Sequence, residues 1–430
     1  MTVLRNLLWI YLVLLIFEGA LRKWILPSLD APLLVIRDPL VICIYVLAWK
    51  HRLSFSNAFF AVNLALAVAT AAMSSVFGLG NAMVTLYGLR TDFLQVPLIF
   101  LIPQILDRED VIAMGRFLLY VSIPIVALVI FQFRSAPDSF WNKGAMATHY
   151  GTVRPSGTFS FIAGLVGFFS LTSAFLFFGY LQARTYKIWL VAPVTFAILI
   201  GAACSGSRGC LIAIGVVAVV AILCAVIRGK AGMGIIGAAA VIALAIVLLS
   251  SMSIFQEGTG QLEQRFKDAG MNEENPQGLG LFGRFMNTML RPLAGMNTVP
   301  FFGNGLGLGT NAAAGLMNSK SELDWPEDEW GRLIFECGPV FGLFLCLFRT
   351  ALAFAVGRRA FGAFRDGNVL PILIFAACGF LILNGQWGVP TNLGFAIFGA
   401  GLTLAACVES PEEEEEEDQD DQEDDDHAGV

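Results

Sequence analysis

Charge and histidine are what this sequence has least of. Only 14% of its 430 residues are Asp, Glu, Lys or Arg, against about 25% in an ordinary soluble domain, which excludes a water-solvated globule of this length. Three histidines, at 51, 149 and 427, are too few and too dispersed to hold zinc. The eight cysteines (43, 204, 210, 224, 337, 346, 378 and 407) form no Cys-x-x-Cys pair and lie mostly in apolar runs. They read as small hydrophobes, not as a metal site or disulfide framework. There is no Walker loop, dinucleotide fingerprint or Gly-x-Ser-x-Gly elbow, which argues against ATP-driven transport and soluble-type cofactor chemistry. No metal, cofactor or nucleic-acid partner is expected.

What the chain does have is apolar length. It is 56% hydrophobic with a mean hydropathy of +0.70, in blocks long enough to cross roughly 30 Å of hydrocarbon. The blocks are apolar all round, so a barrel with period two is excluded and an all-α polytopic membrane protein is predicted. About twelve spans (range 10–12) are expected: 7–21, 31–49, 58–79, 92–106, 112–132, 156–180, 188–204, 209–227, 232–253, 333–357, 369–386 and 390–408. The first lacks a small-residue cleavage site and runs into "EGALRKW", so it reads as a retained helix.

The short loops set the orientation. "KHR" (50–52), Arg108, "RTYK" (184–187), "RGK" (228–230) and "RTALAFAVGRRAFGAFR" (349–365) fall on one side, which the positive-inside rule makes cytoplasmic. Both termini are then cytoplasmic, and the hydrophilic segment 254–332 is a large periplasmic loop with short helices within a transmembrane domain of residues 1–408. Residues 409–430 form a separate acidic tail. Its run 412–426 holds 13 of the 34 acids, so the rest of the chain is net basic. A run of like charge without apolar residues stays disordered and solvated; it serves either as a solvated tail or as a contact for a basic partner.

Several cations break the positive-inside pattern: Arg22, Lys23, Arg90, Lys143, Arg154, Arg208, Arg284 and Arg332 fall on or near the outer side. Repeated exceptions point to an anionic ligand there, the alternative being interface anchoring. Polar residues collect around them. In "EGALRKWILP" (18–27) Glu18 and Arg22 share a helix face, and Trp24 suits an interface anchor. Arg37 and Asp38 sit in an apolar span, where an ion pair or a buried polar site is required. "RPSGTF" (154–159) enters a span from outside, and "SGSRG" (205–209) joins two spans. The long loop carries "QLEQRF" and "RFMNTMLRPLAGM", both amphipathic, and "FFGNGLGLGT" (301–310), a turn whose amides can approach a ligand closely. In "PEDEWGRLIFECG" (326–338) Pro326 and the following acids suit a helix start, and Glu329, Arg332 and Glu336 share one face, with Glu336 about a turn deeper.

"RPSGTF", "SGSRG" closing a span, "GRF" in a long outward loop, "PFFGNGLGLGT" and a polar helix start ending Glu-x-Gly resemble the bacterial O-antigen ligase and polymerase superfamily over roughly residues 150–345. The resemblance implies a metal-independent, multi-spanning glycosyltransferase of the bacterial inner membrane. It would move a glycan from an undecaprenyl-diphosphate carrier to a saccharide or lipid-glycan acceptor at the periplasmic face. It further implies that Arg208 and Arg284 engage the diphosphate. One departure stands out: the family often carries His-Asn ahead of its Glu-x-Gly, where this chain has Glu327 and Asp328. The early "EGALRKW" and "IRDP" elements also lie outside the best-known pattern, which suggests a divergent branch closer to exopolysaccharide polymerases.

The expected chemistry is displacement at an anomeric carbon with a lipid diphosphate leaving group. Arg208 and Arg284, with Arg154 and Arg332, are expected to meet the developing charge, since a guanidinium binds phosphate bidentately and stays protonated. Glu327 or Glu329 is expected to take the acceptor's proton, typically worth about 10²- to 10⁴-fold. Ser205, Ser207, Gly209, Glu336 and Arg22 are supporting residues. Two other classes remain open on sequence: a flippase or exporter of lipid-linked sugars, and a non-catalytic member of a polysaccharide assembly complex.

Overall fold

The computed structural model describes residues 1–143, 145–147, 153–182, 185–229, 233–272, 289–310, 313, 326 and 328–408. Helix dominates these residues; the one strand pair described is Met146–Ala147 with Val153–Arg154, antiparallel with Met146 opposite Arg154. Seven described helices are each long and apolar enough to cross a membrane: Thr2–Ile25, Ala58–Phe77, Ala82–Gln104, Arg108–Arg134, Ile162–Leu181, Arg208–Ile227 and Glu329–Arg365. The protein is an α-helical multi-pass membrane protein.

Helix occupies every stretch expected to span, but not with equal length. Arg37–Lys50, Ile188–Cys204, Leu370–Asn384 and Pro390–Ala405 have 14 to 17 residues, about 21–26 Å at 1.5 Å per residue, short of a full hydrocarbon core. The expected span 92–106 begins earlier, at Ala82, and passes through a π-helical turn at Arg90–Leu94 before resuming at Leu98. Its two charges, Arg90 and Asp92, interrupt the apolar run by which it was delimited.

Ile162–Leu181 and Pro390–Ala405 are the central helices, buried along nearly their whole length. Small residues permit this: a Cβ at Gly399 would press on Cys378, at Gly401 on Ile102, and at Gly167 on Phe395. Ala58–Phe77 and Arg208–Ile227 stand at the periphery, with Val62, Val68, Val219 and Ile222 among their exposed residues, as lipid-facing helices should.

Two breaks shape the end of the bundle that carries the polar motifs. Ala239–Ser250 meets Ser253–Gln264 at 99°, so the segment holding "QLEQRF" is the amphipathic helix expected and lies across the helix before it. The second break divides Glu329–Arg365 at Gly338, whose φ of 76° and ψ of 172° are non-helical. The chain reverses there. A Cβ at Gly342 would meet Ile334 and Leu333, and Glu329 reaches Arg349, so helix 329–337 folds back along the first turns of helix 339–365. This corrects the relative depth expected of the two acids. Glu336 sits beside the reversal, whereas Glu329 lies alongside Arg349, about 15 Å down helix 339–365.

Candidate functional site

Two buried charge clusters occupy this end of the bundle, meeting at the turn between Leu370–Asn384 and Pro390–Ala405. The first centres on Arg332. Its Nε donates to Glu329 Oε2 (2.9 Å), Nη1 to Asp92 Oδ2 (3.3 Å) and Glu336 Oε2 (3.0 Å), and Nη2 to Asp92 Oδ1 (2.6 Å) and Glu329 Oε1 (2.8 Å). All five N–H groups of the guanidinium are thereby engaged. Arg349 donates from Nη1 to Glu329 Oε1 (2.6 Å), from Nε to the Ile382 carbonyl and from Nη2 to those of Leu381 and Gly385, with its guanidinium 3.9 Å from the Trp387 ring centroid. The Trp387 amide adds a further bond to Glu329 Oε1.

The shared face predicted for Glu329, Arg332 and Glu336 is therefore real; the reversal at Gly338 adds Arg349 and the π-turn adds Asp92. Asp328 caps the helix, accepting the Gly331 amide at 2.7 Å. Burial pushes the Asp328 carboxyl above the ordinary aspartate range, and that hydrogen bond pulls against it.

The glycine-rich turn presents its amides to this cluster. Gly307 and Gly309 donate to the two oxygens of Glu336 (2.9 and 2.7 Å), and Leu306 donates to Ser74 Oγ. At Gly307 the need for glycine is twofold: φ is +87°, and a Cβ would strike the Val84 carbonyl and Gly88. The anion these amides hold belongs to the protein's own chain, where the sequence suggested a ligand.

The second cluster ties the first helix to the turn. Arg37 donates to Glu18 Oε2 (3.0 Å), to Tyr11 Oη and to the Pro390 carbonyl (2.6 Å). Tyr11 donates to Gln95, Gln95 to Asp38 Oδ1, and Arg90 Nε to Asp38 Oδ2 (2.5 Å). Arg37 and Asp38 do form buried ion pairs, but with Glu18 and Arg90 rather than with each other. Arg22 keeps the expected Glu18 contact at 3.7 Å, and binds Asp30 (2.7 Å) and Ser160 Oγ (3.3 Å). Trp24 donates to the Phe140 carbonyl and stands beside Trp141.

Lys23 links "EGALRKW" to "RPSGTF". Its buried ammonium donates to Ser156 Oγ (3.1 Å) and to the carbonyls of Gly157 (2.8 Å) and Phe159 (2.7 Å). Lys23→Met should leave those carbonyls without this donor and lower stability by about 1–3 kcal/mol. Thermal unfolding of the purified protein in detergent checks this; an unchanged transition would mean that the loop finds its donors elsewhere.

The remaining expected residues divide plainly. Arg284 and Glu327 lie outside the described residues, as does the tail 409–430. Arg208 opens helix Arg208–Ile227 and is partly exposed, and Arg154 is partly exposed on its strand. Ser205 and Ser207 are buried: Ser205 Oγ donates to the Ala202 carbonyl and accepts the Ser207 amide. Among the described residues, only Ser207 Oγ lies near Gly209's missing Cβ. Gly258 of the crossing helix packs on the backbone of Ala203 and Cys204, so the turn's small residues also serve helix packing.

Two roles change with this geometry. Glu329, 1% exposed, accepts from Arg332, Arg349 and the Trp387 amide, which makes it an internal counter-ion rather than a base open to a substrate. Arg332, with every donor held by carboxylates, is likewise a brace rather than an open phosphate ligand. Arg349, expected among the cytoplasmic loop charges, is 2% exposed inside the first cluster. Asp92, Arg349, Gln95 and Tyr11 escaped the sequence reading. The readable signal was a lone Asp and a lone Arg in otherwise apolar stretches, "RTDFLQVPLIF" and "FLCLFRTALAF". No family model matches the chain, and neither the curated proteins nor the solved structures contain a match.

Proposed function

We propose that the protein transfers a glycan from an undecaprenyl-diphosphate carrier to a saccharide or lipid-glycan acceptor at the outer face of a bacterial inner membrane, as an O-antigen or exopolysaccharide polymerase or ligase. The observation supporting this reading is convergence. Motif segments remote in sequence touch one another: residues 18–23 hold 156–160 through Lys23 and Arg22, and 303–310 hold Glu336 through backbone amides. In this reading the chain has about twelve spans with both termini cytoplasmic. The two buried clusters form a rigid floor, and the partly exposed cations Arg208 and Arg154 engage the diphosphate, together with Arg284, which the sequence motif suggests. Electrostatic stabilisation of the leaving group is the main catalytic contribution. Proton acceptance falls to Glu327, since Glu329 is occupied.

The test is transfer by purified protein from an undecaprenyl-diphosphate glycan. Arg208→Ala should abolish it while leaving the protein in the membrane, and Arg208→Lys should also be impaired, because a point charge does not reproduce a planar fork. A normal product length distribution from Arg208→Ala would sink the assignment.

A second reading has its own observation. Charged residues sit where helices break, at Arg90–Leu94 and beside Gly338, and discontinuous helices bearing polar groups are a transporter feature. Movement of a lipid-linked sugar across proteoliposomes without bond formation would favour a flippase or exporter.

A further inference from the structure

Arg90 is the one buried guanidinium of these two clusters left with an idle arm. Its Nε is held by Asp38 and its Nη2 by the Leu34 carbonyl (3.2 Å), but Nη1 is fully buried and has no acceptor among the described residues. The side chain is 8% exposed and lies over the Tyr87 ring at 5.1 Å. A buried N–H pair of a cation without an acceptor is costly, and it is retained where something else supplies the acceptor.

The charges around it are evenly paired. Arg22, Arg37 and Arg90 face Glu18, Asp30 and Asp38, three cations against three acids, so an entering anion is matched by the release of one acid. Arg22 joins this group through Glu18, the acid it shares with Arg37. The Arg22 partner Asp30 is the weakly held acid of the set, with a side chain 61% exposed. The segments that carry Arg22 and Arg90 also carry exposed large hydrophobics, Ile25 and Leu26 on one and Met83 and Leu86 on the other. A guanidinium with one free arm, on segments that also carry lipid-facing side chains, suits an anion carried on a lipid rather than one arriving from water.

We propose that Arg90, with Arg22 and Tyr87, forms a binding site for the phosphate headgroup of a lipid that enters from the side, between residues 26–36 and helix Ala82–Leu89. Arg90 Nη1 takes one phosphate oxygen, and Arg22 exchanges Asp30 for another. Because Nη1 is closed off here, entry requires the 26–36 segment to move outward. Arg208 takes no part in this site, whose occupancy does not require glycan transfer.

The test uses the full chain in phosphatidylcholine nanodiscs, with fluorescent phosphatidic acid as probe and neither glycan nor acceptor present. Wild type should bind the probe, and Arg90→Lys, which keeps a cation for Asp38 but loses the second arm, should bind at least tenfold more weakly. Arg22→Gln and Tyr87→Ala should each weaken binding several-fold; they decide the matter should Arg90→Lys fail to fold. Inorganic phosphate at equal concentration should not displace the probe. Undiminished binding by these variants overturns the site, and equal competition by inorganic phosphate overturns its lipid character. Failure here leaves the transfer test of Arg208 unaffected, and the converse also holds.

Discussion

Arg332→Met should destabilise the protein by about 3–5 kcal/mol, the range expected when one partner of a buried ionic group is removed. Three carboxylates, those of Asp92, Glu329 and Glu336, would then share a buried space with only Arg349 to oppose them. Arg332→Lys should rescue only part of this, because three donors radiating from one nitrogen do not reach three carboxylates as a planar fork does. Thermal unfolding and monodispersity of the purified protein give the readout. The contrast with Arg208→Ala is decisive: loss of transfer with a wild-type transition for Arg208, loss of the fold for Arg332. A wild-type transition for Arg332→Met would show that the cluster does not brace the bundle. It would restore Arg332 as a candidate ligand for substrate.

Gly338→Ala should be strongly damaging for a single added methyl. The backbone at φ 76°, ψ 172° lies in a region open essentially to glycine alone, worth about 1–3 kcal/mol for any other residue. The added Cβ would also collide with the Phe301 carbonyl and the Gly303 amide, which are backbone atoms with no side-chain freedom to yield. The reversal would open, carrying Glu329 from Arg349 and Glu336 from Gly307 and Gly309. Gly362→Ala, in the same helix with nothing near its missing Cβ, is the matched control and should be neutral or slightly stabilising. Equal transition temperatures for the two variants would contradict the fold-back.

These two residues show what kind of information the sequence withheld. The face shared by Glu329, Arg332 and Glu336 was legible because helical spacing is a local property. The depth of that face was not: Gly338-Pro339 in "CGPVFG" is a turn dipeptide, but with the long apolar run after it the segment reads as one span entered from outside. The partners of Asp92 and Arg349 were not legible for a related reason: each charge stands in a largely apolar stretch, and its partner lies 240 or 20 residues away. The glycine-rich turn was recognised as a cradle for an anion, but the anion proved to be Glu336.

By itself the sequence determined the class of the molecule. Scarce charge and long apolar blocks leave an unfolded chain no alternative to helices in a membrane, since only there are the backbone groups satisfied and the apolar surface solvated by lipid. It also determined which segments carry polar function, because charge is too expensive to keep in such blocks without a use. Only the tertiary structure decided which charges pair. Those pairings depend on where helices stop short, reverse at Gly338 or loosen at Arg90–Leu94, and each break is fixed by contacts between segments that local spacing does not relate, from 20 residues apart for Glu329 and Arg349 to 240 for Asp92 and Arg332. The same packing separates cations held entirely by the protein, such as Arg332, from Arg90, whose one arm remains unclaimed.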